Sequence, residues 1–365
     1  MRPYVQALER ELEWAAAAAG VRLPVHTLFF GGGTPSLLPL EEVRRVLEAA
    51  RRCFDLASEV EISLEANPGT LQLAYLEGLR ALGVNRLSLG VQSANPEELR
   101  LLERQHDYPA VVQAVAWARR AGFENLNLDL IFGLPGQSLA TWQHTLELAL
   151  GLHPEHFALY ALTVEHGTPL AHWTAHGLVD ESDPDLAAEM YEWAQARLDA
   201  VGYGQYEISN WARRDGPANH WVCRHNLQYW RGPPYLGLGA GAHGYAAGYR
   251  TANVLAPAAY IQRLQNPAEQ DWPFPHTPAT ASFLPIDRET EIGETMMMGL
   301  RLTEEGVSAE DFHNRFGQTL EDVFADEIRE LLGLGLLEWA GLGQARLRLT
   351  ARGRLLGNQV FYRFI

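Results

Sequence analysis

The apolar residues of this chain fall at two spacings. From residue 4 to residue 19 the spacing is helical. Leu8 and Leu12 share one face, Glu9, Glu11 and Glu13 surround them, and an alanine run follows until Gly20 ends the pattern. Apolar runs of strand length then occur at 25–30, 60–64, 86–91, 126–132 and 157–164. Helical patterns lie near 39–53, 71–82, 96–121, 138–151 and 184–200. Strands alternating with helices predict βαβ units around a parallel sheet. Right-handed crossovers curl such a series into a barrel or an open doubly wound sheet.

Past residue 203 the alternation fails, so five strands are expected. Residues 216–250 are rich in Gly, Pro, Trp, Tyr and His, and the prolines of 271–285 predict a linker. From residue 288 helices are expected at 296–302, 309–316 and 320–337, with a short strand at 345–350. That pattern predicts a compact winged-helix-like domain. The expected division is 1–212, 213–285 and 286–365.

Polar residues and glycines collect at the C-terminal ends of the expected strands, where a barrel keeps its site. Gly31, Gly32, Gly33 and Thr34 follow the first run, Glu65 and Asn67 the second, and Gln92 and Ser93 the third. Asp129 sits inside the fourth. Three glycines let backbone N–H groups close on a small charged ligand, but taken alone they are more simply accounted for by an ordinary strand-to-helix turn. The two oxygens of Glu65 match a vicinal diol; a helix cap or a surface ion pair is the plainer alternative. Asp129 is flanked by Leu128, Leu130 and Ile131, and a carboxylate there is costly unless paired. It implies either function or a structural pair with Arg86 or Arg104.

The sharpest late feature is His225-Asn226-Leu227-Gln228-Tyr229-Trp230. A histidine with two large aromatics can ligate iron and flank a flat macrocycle. On local sequence alone, an aromatic loop with His225 held by a carbonyl is the simpler reading. Residues 239–244 match GxGxxG, but Pro233 and Pro234 lie just upstream and no acid follows within twenty residues. A dinucleotide site is therefore not expected. Glu155, His156, Glu165 and His166 fit no metal-ligand spacing and are expected at the surface.

The 365 residues carry a net charge of −16, which disfavours nucleic acid and anionic membrane as nonspecific partners. All 29 basic residues are arginine, which removes Schiff-base lysines, pyridoxal phosphate anchoring and the P-loop lysine. No apolar stretch is long enough to span a bilayer, and a cytoplasmic protein is expected. Cys53 and Cys223 allow one disulfide at most, and two thiolates cannot hold an iron–sulfur cluster that needs three.

Taken together, the segments FFGGGTPSLLP (29–39), EISLEANPGT (61–70), GVNRLSLGVQS (83–93), NLNLDLIFGLPGQS (125–138), YALTVEHGTPL (160–170), YEISNWA (206–212), CRHNLQYWRGPPYLGLGAGAHGY (223–245) and MMMGLRLTEEGV (296–307) resemble the radical S-adenosylmethionine (radical SAM) family. Within it they are similar to the oxygen-independent coproporphyrinogen III oxidase group. The similarity covers nearly the whole chain, in order. It implies an α/β fold, a partial (β/α)6 TIM-like barrel with a C-terminal winged-helix-like domain. Gly31, Gly32, Gly33 and Thr34 would hold the methionine end of SAM and Glu65 its ribose, while Gln92, Arg104 and Asp129 line the rest of the pocket. The HNLQYW segment implies the heme chaperone branch, with His225, Asn226, Tyr229 and Trp230 at heme and His225 as the candidate iron ligand. Cys223 and other histidines stay open as alternatives. The implied partners are heme and heme-acceptor proteins, membrane respiratory enzymes among them. The alternatives are oxidative decarboxylation of coproporphyrinogen III, or a remnant without a cluster. The family opens with a strand and a CxxxCxxC motif for a 4Fe-4S cluster, and neither is found here. A truncated start is the expected reason, with the cluster returning in a longer form.

Overall fold

The computed structural model describes residues 1–165, 167–216, 220–267 and 272–365. They divide into two compact units. One comprises Met1–Phe29, Leu38–Ile62 and Cys223–Ile365; the other comprises Phe30–Leu37 and Ser63–Val222.

In chain order, the first elements are α1 (Arg2–Ala19), β1 (Pro24–Phe30), α2 (Leu40–Cys53), β2 (Asp55–Ala66), α3 (Leu73–Leu82), β3 (Arg86–Gln92), α4 (Pro96–Leu101), α5 (Tyr108–Arg120), β4 (Asn125–Phe132), α6 (Leu139–Leu150) and β5 (His156–Ala161). Next come α7 (Pro169–Ala175), α8 (Pro184–Ala200), β6 (Tyr203–Glu207), β7 (Asn210–Arg213) and α9 (Arg224–Arg231). The chain continues through β8 (His243–Ala246), β9 (Tyr249–Asn253), α10 (Pro257–Gln265), β10 (Thr280–Pro285), α11 (Arg288–Gly299), β11 (Val307–Ser308), α12 (Ala309–Phe316), α13 (Leu320–Gly333), β12 (Leu337–Ala340), β13 (Arg346–Leu349), α14 (Ala351–Leu355) and α15 (Gly357–Phe361).

The main sheet runs β1-β2-β3-β4-β5-β7-β6. Strands β2 to β5 pair in parallel. It therefore has seven strands rather than the five expected. The two extra strands form a hairpin antiparallel to β5, over residues outside the expected alternation. Every residue of β6 is buried, so no polar-out alternation marks it in the sequence. The single helix expected over 96–121 is two. The chain turns at Glu103, in the left-handed region with φ 54°, and Asp107 caps α5 by accepting the Ala110 N–H at 3.0 Å.

In the unit built on β3 to β5, one sheet face is apolar. Leu87, Leu89, Leu126, Leu128, Leu130, Phe157 and Leu159 are all buried. Trp142 on α6 is also buried, and its indole donates to the Met190 carbonyl of α8 at 3.0 Å, tying the covering helices together. The opposite face carries Arg86, Ser88, Asn127 and His156, equally buried but polar.

In the other unit, α1 docks on α10 through Tyr4 and Tyr260, whose ring centroids are 5.2 Å apart. Glu11 of α1 is fully buried and accepts from the Gly239 N–H, the Asn253 amide and the Tyr260 and Thr277 hydroxyls at 2.5–3.0 Å. Burial still raises its pKa. Thr280–Pro285, within the expected linker, is a strand paired with β9. It lies at the edge of its sheet, where Pro285 forfeits no ladder bond. At the C-terminus β11, β13 and β12 form a three-stranded sheet where a short strand was expected. The helix expected to reach 337 stops earlier, because Gly335 takes φ 67° and releases the chain into β12.

Candidate functional site

The strand ends build the first candidate site. After β1 the chain turns through Gly32 and Gly33 at φ 80° and 62°. Open space surrounds both, so backbone conformation rather than crowding requires glycine there. This turn presents the Gly32 N–H to Glu65 Oε2 at 3.2 Å. Thr34 opens the tight turn that follows, its carbonyl accepting from Leu37 N–H at 3.1 Å. Gly31 is exposed beside it. Glu65 ends β2 opposite Ser88 of β3, and burial raises its pKa despite the Gly32 bond.

Asp129 stands on β4 opposite Gly90. Its oxygens accept from the Asn127 amide at 2.7 Å and from the Ser88 hydroxyl at 3.1 Å. Asn127 Oδ1 in turn meets His156 Nδ1 at 2.6 Å, and His156 Nε2 meets the Tyr206 hydroxyl at 2.9 Å. An unbroken chain of hydrogen bonds thus runs from Tyr206 to Asp129. Desolvation pushes the Asp129 carboxyl up to about 6, its two donors oppose the rise, the Glu65 charge adds to it, and Arg86 lowers it. The hydrogen-bond partners described for Asp129 are the neutral Ser88 and Asn127 rather than an arginine, while Arg86 and Arg104 interact with its charge.

Gln92 occupies the left-handed region at φ 68°, beyond a register shift after Gly90. Its amide nitrogen folds back to 3.0 Å from where a Gly90 Cβ would stand, so a side chain there would require the Gln92 amide to shift by a few tenths of an ångström. A non-glycine residue held at positive φ at a strand end is backbone strain of the kind found in ligand clamps. Arg104 is half-buried, makes no ion pair among the described residues, and has its pKa lowered by burial while Asp129 raises it. The Ser63 hydroxyl is wholly buried with no described partner.

The second candidate site is α9. Cys223 caps it, its sulfur accepting the Asn226 N–H at 3.4 Å. Glu61 faces the same helix end. It accepts the Arg224 and His225 N–H groups, both at 3.0 Å, and the Cys223 thiol at 3.7 Å. A carboxylate at a helix N-terminus is stabilising. The His225 ring stacks on Phe29 at 4.9 Å. Its Nδ1 is 2.8 Å from the Thr27 hydroxyl and its Nε2 is 3.2 Å from the Tyr229 hydroxyl. Thr27 gives its one proton to Gln228 Oε1 at 2.9 Å, so His225 Nδ1–H donates to Thr27 and Nε2 accepts from Tyr229. Hydroxyls stand at both ring nitrogens, where a carbonyl was expected. Asn226 and Trp230 are half-buried on the same helix, and the Arg301 guanidinium lies 4.5 Å over the Trp230 ring.

The structure thus brings Gly32, Glu65, Arg104 and Asp129 into one electrostatically coupled group, with Gln92 clamped beside it. His225 and Tyr229 touch. Glu155 and His156, expected at the surface, are both buried. Glu155 binds Arg119 and Arg213, and His156 belongs to the polar chain. His166 lies outside the described residues. Sequence reasoning missed Ser88, Asn127, His156 and Tyr206. The missed signal is the run Asn125-Leu126-Asn127-Leu128-Asp129-Leu130, whose strict alternation marks a lined interior rather than a uniformly apolar strand.

A Radical SAM superfamily model matches residues 1–149, and a HemN C-terminal domain model matches 286–356. The Bacillus subtilis (strain 168) protein named heme chaperone HemW is 37% identical over 363 residues, covering 99% of this chain and 91% of that protein. The chain belongs to the HemW family of the radical SAM superfamily. The HemW of Mycobacterium tuberculosis (strain H37Rv) is 38% identical, with 98% of this chain and 85% of that protein covered. The solved structure of coproporphyrinogen III oxidase (HemN) from Escherichia coli superposes with a TM-score of 0.79 at 24% identity, over 99% of this chain and 82% of that one. That likeness establishes the radical SAM half-barrel fold.

HemW membership in this superfamily implies SAM and a 4Fe-4S cluster. The residues fit the first. The glycine turn, the Glu65 and Asp129 carboxylates, Arg104, which makes no ion pair among the described residues, and the Ser63 hydroxyl, buried without a described partner, are the kinds of group that a zwitterionic, diol-bearing molecule requires. They do not fit the second. Cys53 is partly buried on α2, Cys223 is committed to α9 and Glu61, and the described residues hold no cluster of three or more metal-ligating side chains. No helix among the described residues is long and apolar enough to cross a membrane.

Proposed function

We propose that this chain binds heme on α9 and passes it to acceptor proteins, membrane respiratory enzymes among them, and that it binds SAM in the half-barrel cradle. The observation that carries the heme reading is the state of His225. Its Nδ1–H is fixed on Thr27, which leaves the Nε2 lone pair as the metal-binding one, the arrangement that outer-shell partners impose on ligating histidines. Phe29 holds the ring plane. Cys223 is the weaker candidate ligand, since its thiol is buried and its sulfur already caps the helix. The names of the relatives supply the word chaperone, and the acidic surface suits a carrier that avoids nucleic acid.

In the cradle, Glu65 is placed to accept from a ribose diol and Arg104 to bind a carboxylate. Asp129, held by Asn127 and Ser88, is the second fixed acceptor. Radical chemistry is the contribution of SAM together with a reduced cluster. These 365 residues do not supply three thiolates, so no step of the proposal depends on it. A cytoplasmic setting is part of the proposal and agrees with two free cysteines.

The test is a spectroscopic titration of heme into the full chain. Near-stoichiometric uptake with a shifted Soret band is expected, and His225→Ala should weaken it at least tenfold, as loss of an axial ligand requires. Equal affinity in the variant removes His225 from the assignment. Binding of S-adenosylhomocysteine, read by calorimetry, should be lost in Asp129→Ala and weakened in Glu65→Gln.

A further inference from the structure

Beside α9 lies a cavity of about 390 Å³, within the range of roughly 300–1,000 Å³ typical of cofactor sites. Tyr229, Trp230, Tyr235 and Tyr245 contribute aromatic surface to it, and Met298 and Phe312 apolar surface. The cavity contains four arginines. Arg231, Arg250 and Arg315 each hold a glutamate, Glu305, Glu294 and Glu291 respectively. These pairs are partly exposed, and such pairs contribute little stability, so exchanging one carboxylate for another costs little. Arg346 differs. Its guanidinium donates to the Glu305 carbonyl at 3.0 Å and makes no ion pair among the described residues. A second orphan lies in the same wall, since the Trp230 indole N–H is buried without a described acceptor. Asp311 also lines the cavity, so its formal charges balance, but no ion pair among the described residues joins it to Arg346. An aromatic-lined cavity with a cation outside any ion pair and an unused donor fits a flat molecule with an ionised edge.

Tyr229 links this cavity to His225. Its ring forms part of the cavity wall, packed edge-on against Tyr235 at 4.6 Å, while its hydroxyl occupies His225 Nε2. As long as that bond stands, the histidine has no lone pair to offer. We propose that the cavity seats the carboxylate-bearing edge of the heme on Arg346, and that Tyr229 is the gate whose hydroxyl must leave His225 before iron can bind. This rests on the heme reading above and goes beyond it by assigning the carboxylate anchor and the step that opens the ligand. The step breaks one hydrogen bond, and the Nε2 lone pair then forms the bond to iron, with no electron transferred.

The experiment compares heme with its dimethyl ester, which lacks the charges, on the full chain and three variants. The wild-type chain should bind the dicarboxylate roughly tenfold tighter than the ester, the scale of one charge-assisted hydrogen bond. Arg346→Gln should bind the two alike, and Arg346→Lys, which keeps the charge, should retain the preference. Tyr229→Phe should bind heme several-fold tighter and faster, because Nε2 is free from the start. A wild-type preference that survives in Arg346→Gln overturns the cavity assignment and leaves the heme reading standing. Unchanged or weaker heme binding in Tyr229→Phe overturns the gate. No heme uptake by the wild-type chain overturns this proposal and the heme reading together.

Discussion

The half-barrel interior and the aromatic helix α9 both bury polar side chains, and they satisfy them in opposite ways. In the half-barrel, neutral groups are consumed by one another from Tyr206 through His156 and Asn127 to Ser88, while the charged groups Glu65, Arg104 and Asp129 make no ion pair among the described residues. On α9 the group of interest is itself consumed, with Thr27 and Tyr229 occupying both nitrogens of His225. The first region is therefore preorganised and the second must open before it binds. Both draw a carboxylate from β2. Glu65 faces a glycine turn and stays available, whereas Glu61 is spent on the backbone of α9.

The comparison breaks most visibly at the centre of the polar chain. Asn127→Leu strands His156, Ser88 and Asp129 together and should cost roughly 3–4 kcal/mol in urea unfolding, the sum of several unpaired buried groups. A loss below about 1 kcal/mol means the network does not hold the half-barrel together.

The next effect is a pH dependence. Burial raises the Asp129 pKa from 3.8 to about 6, so the folded state favours the protonated form. The contribution is fully present below the unfolded value and is lost as pH rises from about 4 through about 6, by up to about 3 kcal/mol for a shift of two units. Asp129→Asn cannot ionise and should lack this slope. Unfolding free energies of both proteins at pH 4 and pH 7 check it, and parallel curves refute it.

Glu61→Ala sharpens the α9 side. It leaves two backbone N–H groups and a thiol without an acceptor, and should cost about 2 kcal/mol. Glu61→Gln keeps an acceptor and should cost about half as much. Heme affinity should fall in Glu61→Ala, because the helix that carries His225 loses its cap. The smallest effect is expected at Gly32→Ala, about 1 kcal/mol from the left-handed backbone alone, since open space surrounds it. A larger loss, read from thermal unfolding, would mean the turn carries packing that the conformation does not account for.

Much of the fold was legible from spacing. The five parallel-unit strands, the helices between them and Gly32 as a turn residue follow from local pattern. The hairpin β6–β7 did not, because a strand buried on both faces shows no alternation. The candidate cradle was legible at Glu65, Gln92 and Asp129, which punctuate strand ends. Ser88, Asn127 and His156 escaped because a polar residue inside an apolar run reads as an exception until its neighbours across the sheet are known. His156 in particular acquires meaning only opposite Asn127.

What the sequence determined by itself is therefore the set of elements and the inventory of chemistry: glycines at a strand end, carboxylates on successive strands, a histidine four residues from a tyrosine on one helix face. These rest on period and residue type, which are local properties. Only the tertiary structure decided the state of each group. It made Asp129 hard to ionise, oriented the His225 ring through Thr27, and placed Glu61 under a helix more than 160 positions away in the chain. Desolvation and hydrogen-bond partners are properties of the neighbours that folding supplies, and those neighbours are distant in sequence.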